Sequence, residues 1–298
     1  MKFLKGLAIT LLSSLLYLSL VALGLAFTLN STILNPDFVV SEVDKLDVTS
    51  LAGEVISEQI PAEGEFMTEV IDDVIADLEP WIKEQASLAI YSGYDYLLGE
   101  SQSLNLVISL EPMKESLRGS LWQSFQQSLP PELAGLPPAQ AEQYFDEFYQ
   151  EFSQQIPPTF EINESLLGPE VSAQLEQVRQ IIGYAQLTYK ALIGLILLLI
   201  LCIILINREV RKTTRGIGIS FLTCGVVEYA GIFFIKRFAP TQIAQFDIPS
   251  YLRGWLPQFL DNFLAPLEMF SIGLMAGGVA LLIVSFVYKR RQPSLSEE

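Results

Sequence analysis

The chain has no histidine among its 298 residues. That removes the commonest general base, the commonest zinc ligand and the usual partner of a serine or cysteine nucleophile. Cysteine is almost as scarce. Cys202 and Cys224 both lie in apolar runs, so the rest of the chain offers neither a disulfide framework nor a CxxC metal site. Phosphate-cradling loops of the GxxxxGK[ST] or GxGxxG kind do not occur. The apolar runs hold no pair of aspartates for intramembrane proteolysis, and no Ser-x-x-Lys stands beside a glycine-rich turn. These absences point away from catalysis and from any cofactor. Charge is sparse as well, with 17% of residues charged and 50% hydrophobic, and the mean hydropathy of +0.38 is high for a soluble globule.

What the chain does have is four long apolar runs. They cover Leu7 to Phe27, about Leu187 to Ile206, Ile217 to Ile235 and about Met269 to Tyr288. Each is close to the roughly 20 apolar residues that carry a helix across a bilayer. The first run is compatible with a signal peptide ending near Gly24-Leu25-Ala26, but its apolar part exceeds the ~7–15 residues of a signal h-region. A retained signal anchor is the expectation.

Lysine and arginine in short flanking loops set orientation. Lys2 and Lys5 precede the first run, Arg208, Arg211, Lys212 and Arg215 separate the second and third, and Lys289, Arg290 and Arg291 follow the fourth. The clusters alternate as four spans require, placing both termini in the cytoplasm; Lys236, Arg237 and Arg253 count against the pattern without reversing it. The organisation expected is a first span at 1–28, an extracytoplasmic domain at 29–185, spans at 186–206, 217–235 and 269–288, a basic cytoplasmic loop at 207–216, an outer loop at 236–268 and a tail at 289–298. The basic loop is short and lacks interleaved aromatics, which favours a topological marker over binding of anionic lipid or RNA.

The segment from Leu29 to Ala185 carries 27 Asp or Glu against five Lys or Arg. Calcium binding would need converging ligands, yet no D-x-[DN]-x-[DN]-G loop is present and Asp72-Asp73 are adjacent on a predicted helix. The carboxylates read as a solvated exterior. Asn35-Pro36 predicts an N-cap and a helix through about Leu46, and a short helix is expected over 50–59. Met67, Val70, Ile71, Val74, Ile75 and Leu78 form a helical stripe, with a restart or kink at Pro80. Met113, Leu117, Leu121 and Phe125 predict a further helix, and Phe145, Phe148 and Phe152 another whose aromatics are expected in the core. "SLNLVISL" and "TFEIN" alternate with period two, and are expected to pair as a small ribbon. One helix is expected from about Pro169 to Ile206, with Gly183 as its weak point.

Glu228 is the only acid inside an apolar run, in "CGVVEYAGIFF". Its charge at that depth costs several kcal/mol unless paired or protonated. The structural reading is a packing contact made close by Gly225, Ala230 and Gly231, with a hydrogen bond to Ser271, Ser285 or Thr188, or an ion pair with Lys190. The functional reading is a proton or cation relay. In the outer loop, Leu252, Leu256, Phe259, Leu260, Phe263 and Leu264 form a stripe, so Tyr251, Trp255, Phe259 and Phe263 are candidates for a helix at the membrane interface or packed under the exterior domain.

Four spans with cytoplasmic termini and a large first exterior loop resemble, in topology alone, the arrangement of claudins and tetraspanins. The exterior cysteines that mark both families are absent, so no functional residue carries over. The expected fold is mainly α: a four-helix transmembrane bundle plus a large helical extracytoplasmic domain with a two-stranded β ribbon, in a prokaryotic cell membrane. Expected partners are the lipid bilayer and a protein or envelope component outside, with no nucleic acid; a homo-oligomer is compatible. The expected role is non-catalytic binding or sensing. Its alternative is transport of an ion or small solute through Glu228.

Overall fold

The computed structural model describes residues 2–47, 65–127, 137–207, 209–243, 245 and 248–290. The helix expected at 50–59 lies outside them. The described chain is mainly helical with one two-stranded antiparallel sheet. It divides into two compact units, Met1–Phe38 with Gln180–Glu298, and Val39–Arg179.

In the first unit, α1 spans Lys2–Ser31. A second short helix, α2, Pro36–Val43, belongs to this unit only through Phe38 and begins where the Asn35 Oδ1 accepts the Asp37 N–H at 3.0 Å. Further along the chain come α6 (Glu164–Asn207), which belongs to this unit from Gln180 onward, α7 (Val210–Ile243) and α8 (Ser250–Arg290). Together with α1 these are four helices long and apolar enough to cross a membrane. They share one core, in which Leu16 and Leu20 of α1, Ile196, Leu199 and Ile203 of α6, Ile217 and Cys224 of α7 and Leu274 of α8 are buried. Their outward side chains are apolar too: Leu18, Leu205, Met269 and Phe286 are all more than half exposed. A surface so apolar suits lipid rather than water.

The boundaries differ from expectation in two places. The stretch 207–216 is helical from Val210 onward. Arg and Lys are good helix formers, so the basic residues extend the helix, and the Thr213 and Thr214 hydroxyls are satisfied within it by the carbonyls of Glu209 and Val210. The interface helix is not separate, because α8 runs through Pro257 and Pro266 into the fourth span. Here Leu260, Phe263, Leu264 and Leu267 pack with Ile232 of α7, and Lys236 of α7 reaches Glu268 at 2.8 Å and Asp261 at 3.7 Å.

Backbone closeness between α7 and α8 comes from glycine. A Cβ on Gly225 would lie 2.5 Å from the Ser271 carbonyl oxygen, and one on Gly278 would lie 2.7 Å from the Leu222 nitrogen. Small residues at both positions let the helices touch along their backbones. At the end of α8, the Ser285 hydroxyl donates to the Arg211 carbonyl at 3.1 Å.

In the second unit, α3 runs Glu65–Leu97 with Pro80 inside it, so the helix does not restart there. Its buried Leu78 packs with Trp81, Ile82, Met113 and Leu117, which joins it to α4, Glu111–Gln127. The α5 helix, Pro138–Gln154, stacks on α4 through Phe145, whose ring lies 5.0 Å from Trp122 and 5.6 Å from Phe125. Tyr149 donates a hydrogen bond to the Lys114 carbonyl, and burial pushes its phenol pKa upward.

The ribbon forms as the alternation predicts. β1 (Asn105–Ser109) pairs antiparallel with β2 (Thr159–Asn163), with Val107 opposite Glu161. Leu106 is buried while Asn105, Val107 and Ser109 are exposed. After β2, Gly168 adopts φ 77, a conformation that costs glycine little, and Pro169 opens the long uninterrupted part of α6.

Candidate functional site

On α7 the buried positions include Thr213, Ile217, Ser220 and Cys224, spaced by four, three and four residues, and Gly218, Gly225 and Ile232, spaced by seven. Glu228 falls on this inward stripe, one turn after Cys224 and one before Ile232. Both carboxyl oxygens are buried without a hydrogen-bond partner. The reason is the surface they meet. A Cβ on Gly24 of α1 would lie 2.9 Å from Glu228 Oε1 and 3.0 Å from the Phe270 ring, so the carboxyl rests on the bare backbone of α1 beside an aromatic face. Gly24's carbonyl already accepts from the Thr28 hydroxyl at 2.9 Å. The Cys224 thiol adjoins the carboxyl but makes no well-formed bond to it.

None of the expected partners reaches this carboxyl. Ser271 donates to the Glu268 carbonyl at 2.9 Å, Ser285 is bonded to α7's first turn, and Thr188 and Lys190 are exposed. Lys190 and Glu228 are therefore not an ion pair. Of the small residues expected to bring helices close, Gly225 does so, whereas Ala230 and Gly231 are exposed and no atom comes within 4 Å of a Cβ on Gly231. An unpaired carboxylate in this surrounding costs several kcal/mol, so the site accommodates the neutral acid.

The second unit presents a different feature. On α5, Ala141, Phe145 and Tyr149 are buried, whereas Tyr144 is 54% exposed, Phe148 55% and Phe152 37%. The expectation that all the aromatics of this helix lie in the core is corrected for Phe148 and Phe152. At ~100° per residue, Phe148 sits about 60° around the helix from Phe145, beyond the strip that α4 covers. Glu142, Asp146, Glu147 and Glu151 are interspersed with the exposed rings, and α5 carries no basic residue.

All five basic residues of the acidic segment are paired within it. Lys45 meets Glu42, Lys83 meets Glu79, Lys114 meets Glu111, Arg118 meets Asp146 and Arg179 meets Glu176. With 27 acids against those five, a surplus of 22 carboxylates has no cation of the segment to neutralise it. Asp146 beside it raises the Arg118 guanidinium's pKa further.

No family model, curated protein or solved structure matches this chain. Its function therefore rests on its own residues. Among the described residues, no group of three or more acids or cysteines converges as a metal site.

The remaining candidates are dispersed. Trp255, Phe259 and Phe263 stack along α8 with ring separations of 4.8 and 6.0 Å, and Phe38 approaches Phe259 at 6.1 Å. They are half-buried packing residues in the first unit; the Tyr251 side chain lies outside the described ones. Arg211, Lys212 and Arg215 are exposed on the first turns of α7, with Lys212 bonded to Glu209 at 2.9 Å. Arg208 and Arg291, and the side chains of Lys289 and Arg290, lie outside the description. Lys236, set between Asp261 and Glu268, is a contact the sequence reading missed; the signal was the opposite charges flanking one connection.

Proposed function

We propose that this is a four-span membrane protein whose acidic helical unit, carried outside the cytoplasm, docks a protein or envelope component through the aromatic face of α5, without catalysis. The exposure of Tyr144 and Phe148 among four carboxylates carries the reading. Exposed aromatics flanked mainly by carboxylates suit a partner with an apolar centre and a basic rim. The alternation of basic clusters along the chain supports placing this unit outside and both termini inside. The surroundings of Glu228 support a packing role over transport, because the carboxyl faces a glycine backbone and a phenyl ring rather than a polar path.

The test is photo-crosslinking in intact cells from Tyr144 and from Phe148, with Glu176 on α6 as the control position. Both face positions are expected to capture the same heterologous species, Glu176 is not, and Phe148→Glu is expected to abolish capture from Tyr144. Capture of this chain alone, or equal capture from Glu176, rejects the proposal.

A further inference from the structure

The two edges of the β1–β2 ribbon differ. β1 lies against α3, whose Ser92 hydroxyl donates to the Asn105 carbonyl at 3.4 Å, whereas β2 has β1 as its only strand neighbour among the described residues. The Leu110 N–H donates to the Pro158 carbonyl at 2.9 Å, one step beyond the pair Ser109 and Thr159. Hydrogen-bonded pairs alternate with non-bonded ones along an antiparallel ladder. Ile108 with Phe160 and Leu106 with Ile162 therefore turn their main-chain groups toward each other, while Thr159 and Glu161 turn theirs away from β1. Both of these residues are exposed.

The side chains along this bare edge alternate in character. On one face of the ribbon Phe160, 44% exposed, and the half-buried Ile162 are apolar. On the other, Glu161 stands opposite Val107 and forms no ion pair among the described residues, since the five basic residues of the acidic segment meet other acids. A strand added antiparallel along β2 sets one residue directly opposite Glu161 and that residue's two neighbours beside Phe160 and Ile162.

We infer that the outer edge of β2 docks an extended segment of a partner protein, added antiparallel as a further strand, in which a lysine or arginine lies between two apolar residues. Main-chain bonds to Thr159 and Glu161 hold the segment, and the alternation of its side chains selects it. Charge decides the occupant. Two copies of this chain joined through β2 in the fully overlapping register set Glu161 against its counterpart, and like charges directly opposite are destabilising. The segments 48–64 and 128–136 of this chain contain no Lys or Arg to answer Glu161. The surplus of acids in the segment favours a basic strand from another protein. This edge is a different surface from the aromatic face of α5 and recognises main chain, so it does not depend on docking there.

The test is fluorescence polarisation of a rhodamine-labelled peptide with the core Thr-Val-Lys-Val-Thr, capped at both ends and titrated with the detergent-solubilised full chain. Saturable binding is expected, and glutamate in place of the peptide's lysine is expected to weaken it about fivefold. Glu161→Lys is expected to reverse the order of the two peptides. Methylating the main-chain nitrogen of the peptide's lysine, which faces the Glu161 carbonyl, is expected to weaken binding about tenfold, whereas methylating either valine nitrogen, which faces away, leaves it within about twofold. Thr159→Pro removes an outward N–H, keeps the Glu161 charge and spares the ladder with β1, and is also expected to weaken binding. Phe148→Glu is expected to leave the peptide's affinity unchanged, which separates this edge from the α5 face. No saturable binding at millimolar peptide overturns the inference. So does equal affinity of the wild type for the lysine and glutamate peptides, or a methylation effect that is the same at lysine and valine; the last two need no variant that must fold.

Discussion

Alanine at Gly225 puts a methyl group where the structure has none to spare. Its Cβ would stand 2.5 Å from the Ser271 carbonyl oxygen, 2.8 Å from the Met275 Cγ and 3.0 Å from the Met275 nitrogen. Two of those three atoms are backbone, so no rotamer change relieves the contact. The α7 and α8 axes must separate locally by at least about 0.5 Å, and a gap of ~0.5–1 Å forfeits a quarter to a half of each dispersion well along the seam. Overpacking of this kind costs about 1–3 kcal/mol. Replacing a helical glycine returns roughly 0.5–1 kcal/mol of backbone entropy, so the net loss expected for Gly225→Ala is ~1–2 kcal/mol. Gly231 is the internal control: it lies on the same helix, but its Cβ would meet nothing within 4 Å, so Gly231→Ala is expected to be neutral or slightly stabilising. Unfolding in mixed micelles by titration with SDS, followed by far-UV circular dichroism, compares the two directly. If Gly225→Ala unfolds at the same SDS fraction as Gly231→Ala, the tight seam between α7 and α8 is refuted.

Glu228→Gln removes no hydrogen bond and is expected to change stability by no more than about 0.5 kcal/mol, whereas Glu228→Lys, which brings a cation against Gly24 and Phe270, is expected to cost ~2.5–3.5 kcal/mol; expression yield and SDS titration separate them. Lys236→Gln removes the half-exposed bridge between Glu268 and Asp261, with an expected loss of about 0.5–1 kcal/mol that shrinks as salt is raised. In the second unit, Phe145→Ala is expected to cost ~3–5 kcal/mol and Tyr149→Phe about 1 kcal/mol, both read by thermal unfolding. For sidedness, a membrane-impermeant maleimide added to intact cells is expected to label Ser153→Cys but not Thr214→Cys; the reverse pattern inverts the proposed topology.

Local patterns were legible where a single period or cap decides the structure. The alternation of Leu104, Leu106, Ile108 and Leu110 demanded a strand, and an isolated strand demanded a partner, which Thr159–Asn163 supplies in register. Asn35 capped its helix for the same local reason. What the sequence concealed depends on rotation of one helix against another. Gly24 read as a small residue near a cleavage site, yet it is the surface that receives the Glu228 carboxyl, a relation that exists only once α1 and α7 meet. Phe148 read as core, because helical spacing alone does not say how wide a strip of α5 its neighbour covers. The basic turn read as loop because its charge was weighed and its helix propensity was not.

The exposed face of α5 also sets limits on the docking proposed for it. An aromatic side chain buries ~150–250 Å2, so covering the exposed half of Tyr144 or Phe148 removes about 100 Å2 from water, worth roughly 2–3 kcal/mol apiece. Two such rings, with a smaller share from Phe152, only just reach the estimated ~4–15 kcal/mol cost of joining two free bodies. The 22 surplus carboxylates add steering more than affinity, and their effect is screened within about 8 Å at physiological salt. A partner held in or against the same membrane does not pay that cost in full, since confinement raises its effective concentration. The face therefore suits a membrane-bound or envelope-bound partner better than a freely diffusing one. Crosslinks formed from Tyr144 in intact membranes are then expected to disappear when the same membranes are solubilised and diluted before irradiation, whereas a high-affinity soluble ligand would stay attached. Crosslinking that survives dilution would show that the interface buries far more than α5 displays.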